Sequence, residues 1–267
     1  MDQPLITLTS DFGSGPFPGI MKGVILNICP QARLVDLSHQ VPPQDIRAGA
    51  LVLEQALPVF GAGTVHLAVV DPGVGTERRP MCAAALGMFF VGPDNGLFTA
   101  ALEADPQAQA YVLTEERYFR QPVSETFQGR DIFAPVAARI AQGLSPSALG
   151  PPLKDPVLLD WPRPRLEGEQ LMGQVLGVDG FGNLSTNLIR EVVTEFLQGG
   201  QASIKVAGLN IPGLSRAYGQ AEPGQAVAVF NSMDRLELAL NQGGLCAKLG
   251  LSPSQVFGLE VVLTRQG

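Results

Sequence analysis

Val65-His66-Leu67-Ala68-Val69-Val70-Asp71-Pro72-Gly73-Val74-Gly75 is an apolar run that ends in a carboxylate and then in glycines. Ile6-Thr7-Leu8-Thr9-Ser10-Asp11-Phe12-Gly13 repeats the pattern near the N-terminus. Each reads as a buried β-strand closed by an aspartate and a turn that glycine makes readily. In an open α/β sheet, ligands bind outside the carboxyl ends of the strands. The two runs therefore aim two carboxylates at one crevice.

Outward from these runs the first half of the chain alternates strand and helix patterns. A helix is predicted over 17–29, with Ile20, Val24 and Ile28 on one face, and a short strand over 34–37. Residues 44–60 read as a second helix, with Ile46, Ala50, Leu53 and Leu57 on one stripe. Two short strands, 81–86 and 88–91, precede the turn Pro93-Asp94-Asn95-Gly96. A third helix is predicted over 131–141, with Ile132, Val136 and Ile140 aligned. Strands separated by helices imply an α/β domain with a largely parallel sheet. Pro151, Pro152, Pro156, Pro162 and Pro164 then exclude both helix and ladder, so the segment reads as an extended crossover. Beyond it come short β-type runs at 174–179, 202–206, 226–230, 235–238 and 256–263. The expectation is two domains: an N-terminal α/β domain over 1–160 and a smaller β-rich domain over 161–267.

The composition narrows the function. Of 267 residues, 45% are hydrophobic, enough for a sizeable core, and the formal net charge is −7, which argues against a nucleic-acid surface. Cys29, Cys82 and Cys246 sit in apolar stretches without a C-x-x-C pair and read as buried thiols. His39 and His66 lack metal-ligand spacing, so no protein-bound metal is expected. Met1-Asp2-Gln3-Pro4-Leu5 shows no basic region followed by an apolar stretch, and no apolar run nears the ~18 residues of a membrane span. A cytoplasmic protein with no membrane partner is expected.

Several candidate groups carry two readings. Asp11 either caps a helix or binds a diol such as a ribose. Gly13-Ser14-Gly15-Pro16-Phe17-Pro18-Gly19 imitates a dinucleotide loop, but its spacing is G-x-G-x-x-x-G and its prolines remove the N–H groups that would cradle pyrophosphate. Asp71 and Arg78 form either a brace for the turn or a polar pair in a cleft that holds a small molecule or a water nucleophile. Arg130 and Asp131 read as a cap and brace, while Thr126 and Gln128, expected at a sheet edge, are candidates to face a ligand. Asp179-Gly180-Phe181-Gly182-Asn183 is either a hairpin turn or a purine site, with Asn183 on the base edge and Phe181 on the ring. Asn231-Ser232 and the ring of Tyr218 complete the candidates.

Taken together and in this order, Ser10-Asp11-Phe12-Gly13, Met21-Lys22-Gly23, Val35-Asp36-Leu37-Ser38-His39, 70–75, 93–96, 126–135, Phe181-Gly182-Asn183 with Asn187, and Asn231-Ser232 resemble the adenosine-forming S-adenosylmethionine (SAM) hydrolases. These are also called SAM hydroxide adenosyltransferases and are relatives of the fluorinase and chlorinase enzymes. The resemblance runs from residue 5 to about 264. It implies a C-terminal barrel-like domain and a homotrimer with each ligand between the N-domain of one subunit and the C-domain of the next. It also implies that SAM is the substrate and that no cofactor is needed. By the same resemblance Asp11 holds both ribose hydroxyls, Phe181 and Tyr218 flank adenine, and Asn183 contacts its edge. Asp179 and Ser232 hold the amino and carboxylate ends of methionine. Thr126 and Phe127 join the substrate-binding set. Asp71 and Arg78 match two members of a polar trio that positions water; the third, a histidine in the hydrolases, is Gln128 here.

The chemistry tolerates that change. The electrophile is C5′ of a sulfonium and the leaving group is a neutral thioether, so no general acid is needed for departure. Gln128 orients water but cannot take its proton, which leaves Asp71 as the acceptor, with Arg78 to fix it or to stabilise hydroxide. Two alternatives accompany this reading: a halide-dependent SAM halogenase, and a SAM- or adenosine-binding protein with little turnover.

Overall fold

A computed structural model describes residues 3–266. The chain divides into two compact units, Met1–Leu159 and Asp160–Gly267. In the first, strands and helices alternate as β1 (Leu5–Ser10), α1 (Phe17–Ile28), β2 (Arg33–Ser38), α2 (Ile46–Ala56), β3 (Val65–Val69), β4 (Pro80–Ala85), β5 (Met88–Pro93), α3 (Thr99–Ala104), β6 (Gln109–Val112) and α4 (Ala134–Ala141). They build one six-stranded sheet in the order β2-β1-β3-β5-β4-β6. The pairs β1–β2, β1–β3 and β3–β5 are parallel; β4 runs antiparallel to β5 and β6. The sheet is thus mixed rather than simply parallel. The cause is local: Leu86 and Gly87, both at positive φ, make a two-residue hairpin between Ala85 and Met88.

The alternation of side chains along β1 and β3 explains the layering. Ile6, Leu8, Val65 and Leu67 face Met21 and Ile25 of α1 and Val136 and Ile140 of α4 in one core. Ala68, Val70 and Phe90 share a second core with Leu53 of α2 and Ala101 of α3. Helices therefore cover both faces of the sheet.

Helix α2 is shorter than the 44–60 its periodicity predicts. Gln44 has φ 64°, and the Asp45 carboxylate caps the helix by accepting the Ala48 N–H at 2.9 Å. At the other end Pro58 cannot continue the ladder. The helix predicted over 131–141 starts early, as a π-helical turn over Gly129–Phe133 that runs into α4.

The second unit contains β7 (Arg165–Glu167), β8 (Gln170–Val178), β9 (Leu184–Ile189), α5 (Arg190–Leu197), β10 (Gln201–Val206), β11 (Leu209–Ile211), β12 (Ala226–Phe230), β13 (Arg235–Leu240), α6 (Leu245–Lys248) and β14 (Glu260–Gln266). The antiparallel order is β11-β10-β14-β8-β9-β13-β12, with β7 on β8. The first half of β8 pairs with β14 and the second with β9, across an irregularity between Val175 and Gly177 that lets the strand turn a corner. The end strands β11 and β12 lie close together, so the sheet nearly closes into a barrel around Val175, Leu188, Ile204, Leu236 and Val261. The strand expected over 256–263 begins only at Glu260, because Val256 to Gly258 turn, with Gly258 at φ 80°.

Candidate active site

Strand β1 crosses through α1 to β2 on one side, while β3 returns through α2 to the other side, and the two helices cover opposite faces. The topological switch point therefore falls between β1 and β3, where open α/β sheets bind ligands. In register Ser10 lies opposite Val69, so Asp11 and Asp71 leave the sheet side by side at its carboxyl edge.

The loop after β3 folds back on itself. Thr76 Oγ1 donates to the Gly73 carbonyl at 2.7 Å, and Gly75 sits at φ 76°. A side chain at Gly75 would meet the Glu125 carbonyl at 2.7 Å, so only glycine lets this loop seat against the 125–128 segment. That packing brings Arg78 onto Asp71. Arg78 Nε donates to Asp71 Oδ1 at 3.1 Å and Nη2 to Oδ2 at 2.5 Å. Nη2 also donates to Gln128 Oε1 at 2.6 Å, and the guanidinium lies 5.4 Å from the centre of the Phe133 ring. The side chains of Arg78 and Asp71 are only 8% and 5% exposed. Arg78 Nη1 is buried and has no hydrogen-bond partner among the described residues. Arg78 thus bonds both other members of the trio that the resemblance implies, with one charged donor group left over.

Gln128 and Thr126 lie on the loop that leads into the π-helical turn, not on a sheet edge as expected. Gly129 permits the approach: a Cβ there would stand 3.3 Å from Met21 Sδ and 3.6 Å from Val69 Cγ1. The fully buried Asp131 anchors the loop, accepting from Arg120 at 3.0 Å, the Ser124 N–H at 3.0 Å and Arg130 at 2.8 and 2.7 Å. Burial alone would raise the Asp131 carboxyl, but the bonds from Arg130, Ser124 and Arg120 outweigh it and hold it below the usual range. Brace is the right reading for this pair. Phe127 packs edge-on against Phe12 and Phe17, with ring centres 6.0 and 5.1 Å away.

Asp11 does not cap α1, whose N-cap residue is Pro16 without a side-chain bond. Its Oδ2 instead accepts the Gln44 N–H at 2.8 Å. Pro16 and Pro18 occupy the start of α1, so the G-x-G-x-x-x-G loop presents no N–H cradle there. His39 and Asp36, between them and Lys22, sit beside Ser10.

In the second unit, Asp179 Oδ1 accepts the N–H groups of Phe181 and Asn183 at 2.9 and 2.8 Å, and Oδ2 accepts Asn183 Nδ2 at 3.0 Å. Gly182, at φ 83°, touches Gly244, where any side chain would collide. The hairpin turn is therefore rigid and throws the Phe181 ring out, 81% exposed. Asn183 keeps its carbonyl oxygen for another partner. Tyr218 donates to Glu237 Oε1 at 2.7 Å, and Asn231 Nδ2 to Glu237 Oε2 at 3.0 Å. Burial, this bond and the charges of Glu237 and Asp179 push the Tyr218 hydroxyl up to about 12. Ser232 is exposed at the tip of the β12–β13 hairpin. Asn187 is structural: its amide bonds the Gln174 N–H and the Pro162 carbonyl. Sequence reading missed Glu237, although a carboxylate inside Leu236-Glu237-Leu238-Ala239-Leu240 was the available signal.

Among the described residues no group of three or more His, Cys, Asp or Glu is arranged to hold a metal ion. No helix among them is long and apolar enough to cross a membrane.

Two family models match the chain: the SAM hydroxide adenosyltransferase N-terminal domain over residues 6–150 and the C-terminal domain over residues 173–257. The chain is 42% identical over 251 residues to the (R)-S-adenosyl-L-methionine hydrolase of Thermus thermophilus, covering 91% of this chain and 94% of that one. A fluorinase of an Actinoplanes species is 26% identical, covering 98% of both. The crystal structure of an uncharacterized conserved protein from Thermotoga maritima superposes with a TM-score of 0.90 at 32% identity, covering 97% of this chain and 100% of that one.

Proposed function

The chain belongs to the SAM hydroxide adenosyltransferase family and is an adenosine-forming S-adenosylmethionine hydrolase, and we propose that Asp71, Arg78 and Gln128 hold and deprotonate its water. The observation that carries this reading is the buried Asp71–Arg78–Gln128 cluster, in which Arg78 Nη1 is left without a partner among the described residues. A charged donor left unpaired away from solvent costs about 1–3 kcal/mol or more, so the pocket favours an oxygen at that point. Gln128 Oε1 already accepts from Arg78, so its amide nitrogen is the group free to donate. Each Asp71 oxygen accepts one bond from Arg78 and retains a lone pair. Arg78 Nε and Nη2 thus fix both partners, Nη1 faces the opposite edge from Asp71, and the spare Asp71 lone pair with the Gln128 amide are the groups left to hold the water that reacts.

The reaction follows. Water attacks C5′ of the sulfonium in line with the C–S bond, from roughly 3–3.5 Å. The C5′–O bond forms, the C–S bond breaks, and methionine leaves with the electron pair on sulfur. The water proton passes to Asp71 and then to solvent. Hydroxide and sulfonium annihilate charge, so a dry pocket favours the transition state. The Asp71 carboxylate would repel a halide at the same place, which argues against the halogenase alternative. A binding protein with little turnover has no use for a poised acceptor.

Within this reading Asp11 binds the ribose hydroxyls, with Thr126 and Phe127 beside them. Phe181, Tyr218 and Asn183 hold adenine, and Asp179 and Ser232 hold methionine. The Asp11 and Asn183 groups sit in different units, and the exposed Phe181 ring seeks a cover. A cytoplasmic homotrimer that shares each site between subunits supplies one, and light scattering that returned a monomer with full activity would reject it.

Asp71→Asn tests the mechanism. It keeps shape and an acceptor for Arg78 but removes the proton acceptor, so turnover should fall about 10²–10⁴-fold while SAM still binds by calorimetry. Wild-type turnover in a variant that binds SAM would rule Asp71 out as the base.

A further inference from the structure

Three stretches of the chain, Met21-Lys22-Gly23, Val35-Asp36-Leu37-Ser38-His39 and Ser10-Asp11-Phe12-Gly13, meet in one hydrogen-bonded chain that the mechanism above does not use. Lys22 Nζ lies 2.6 Å from Asp36 Oδ2. Asp36 Oδ1 lies 3.0 Å from His39 Nε2, and His39 Nδ1 lies 2.7 Å from Ser10 Oγ. Donor rules fix its direction. The Asp36 carboxylate only accepts, so His39 Nε2 carries a proton and a neutral ring turns its Nδ1 lone pair to the Ser10 hydroxyl. Ser10 Oγ in turn accepts the Phe12 N–H at 3.4 Å. Ser10 is 1% exposed with its hydroxyl committed, which excludes it as a nucleophile for solvent-borne substrates.

The backbone completes a clasp around Asp11. The Gly13 N–H donates to the His39 carbonyl at 2.7 Å, and the Val41 N–H to the Ser10 carbonyl at 3.3 Å. The Gln44 N–H donates to the Asp11 carboxylate at 2.8 Å from a residue at φ 64°. Every bond in this set ties segment 10–13 to segment 39–44.

We propose that His39 is a positioning residue that aims the Asp11 carboxylate at the substrate ribose, through its Nδ1 bond to Ser10 and with Asp36 and Lys22 fixing its tautomer. This rests on the reading of Asp11 as the ribose-binding group. Without the Nδ1 acceptor the Ser10 hydroxyl loses its partner, and segment 10–13 loses its side-chain tie to His39. Removing that acceptor should therefore lower nucleoside affinity.

The test is adenosine affinity by calorimetry and the KM and kcat for SAM, near pH 8, for the wild type, Asp11→Ala, His39→Ala and His39→Asn. Asp11→Ala should weaken adenosine at least tenfold, the scale of a lost charge-assisted bond. His39→Ala should weaken adenosine and raise KM about tenfold at pH 8, with a smaller change in kcat. His39→Asn places an acceptor near the Nδ1 position and should recover most of the affinity and the KM. Normal affinity in His39→Ala, with Asp11→Ala impaired, overturns the role of His39. Equal impairment of both His39 variants also overturns it. Normal adenosine affinity in Asp11→Ala overturns the ribose reading instead.

Discussion

Arg78 is engaged by Asp71 on Nε and Nη2 and by Gln128 on Nη2, with Nη1 idle, and that buried cluster carries most of the chemistry assigned to this chain. Asp71 and Arg78 could be paired from sequence because a glycine-rich turn joins them seven residues apart. Gln128 could be added only by resemblance, because fifty residues separate it from Arg78 and loop packing at Gly75 closes the distance. The idle nitrogen was not legible at all, since it depends on which lone pairs each neighbour has already used. Asp11 carried two readings in sequence, and only the cap is removed by the structure: Pro16 holds that place and Asp11 meets Gln44 instead. Gln128 makes a residue-scale prediction. An amide orients water but takes no proton, whereas an imidazole with a pKa near ~6.5 does so at neutral pH. Gln128→His should raise SAM turnover about tenfold or more, a fraction of the 10²–10⁴-fold that a well-aligned general base supplies. Steady-state rates near pH 7.5 check this, and a rate at or below the wild type would show that proton removal does not limit the reaction.

At the scale of elements, β1 and β3 were legible because both are buried on two faces, and such strands read as continuous apolar runs. Their adjacency was not, as it depends on which side of β1 each crossover takes. The β4–β5 hairpin was missed as antiparallel because Leu86 accepts the positive φ that its turn requires. The amphipathic α5, with Val193 and Leu197 inward, was hidden among short β-type runs. Strand β3 also carries a buried liability. His66 is fully buried, receives Thr7 Oγ1 at 2.8 Å and stacks on Phe90 with ring centres 5.0 Å apart. Burial pushes its pKa down to about 4, against about 6.5 in an unfolded chain. Unfolding therefore takes up a proton between those values. Stability from this group is intact above pH ~6.5 and is lost as the pH falls toward ~4, by up to about 3 kcal/mol. Urea melts of the wild type across that window should show this slope, and His66→Gln should flatten it. Parallel curves for the two proteins would show that His66 does not govern acid stability.

At the scale of the whole molecule, the chain combines a three-layer α/β unit that presents carboxylates with a barrel-like unit that presents Phe181, Asn183 and Tyr218 on rigid turns. The change of texture after the proline-rich stretch announced the second unit. The near closure of its sheet was invisible, because it rests on the corner in β8 and the approach of β11 to β12. Glu237, which holds Tyr218 and Asn231 together, was likewise hidden in a run that otherwise reads as core. All the assigned parts serve one net reaction: SAM and water give adenosine, methionine and a proton. Turnover of SAM in ¹⁸O-labelled water with chloride present, followed by mass spectrometry of the nucleoside, tests that reaction most directly. The account predicts adenosine with one labelled oxygen on C5′ and an equal amount of methionine. Unlabelled adenosine, or 5′-chloro-5′-deoxyadenosine as the main product, would contradict it.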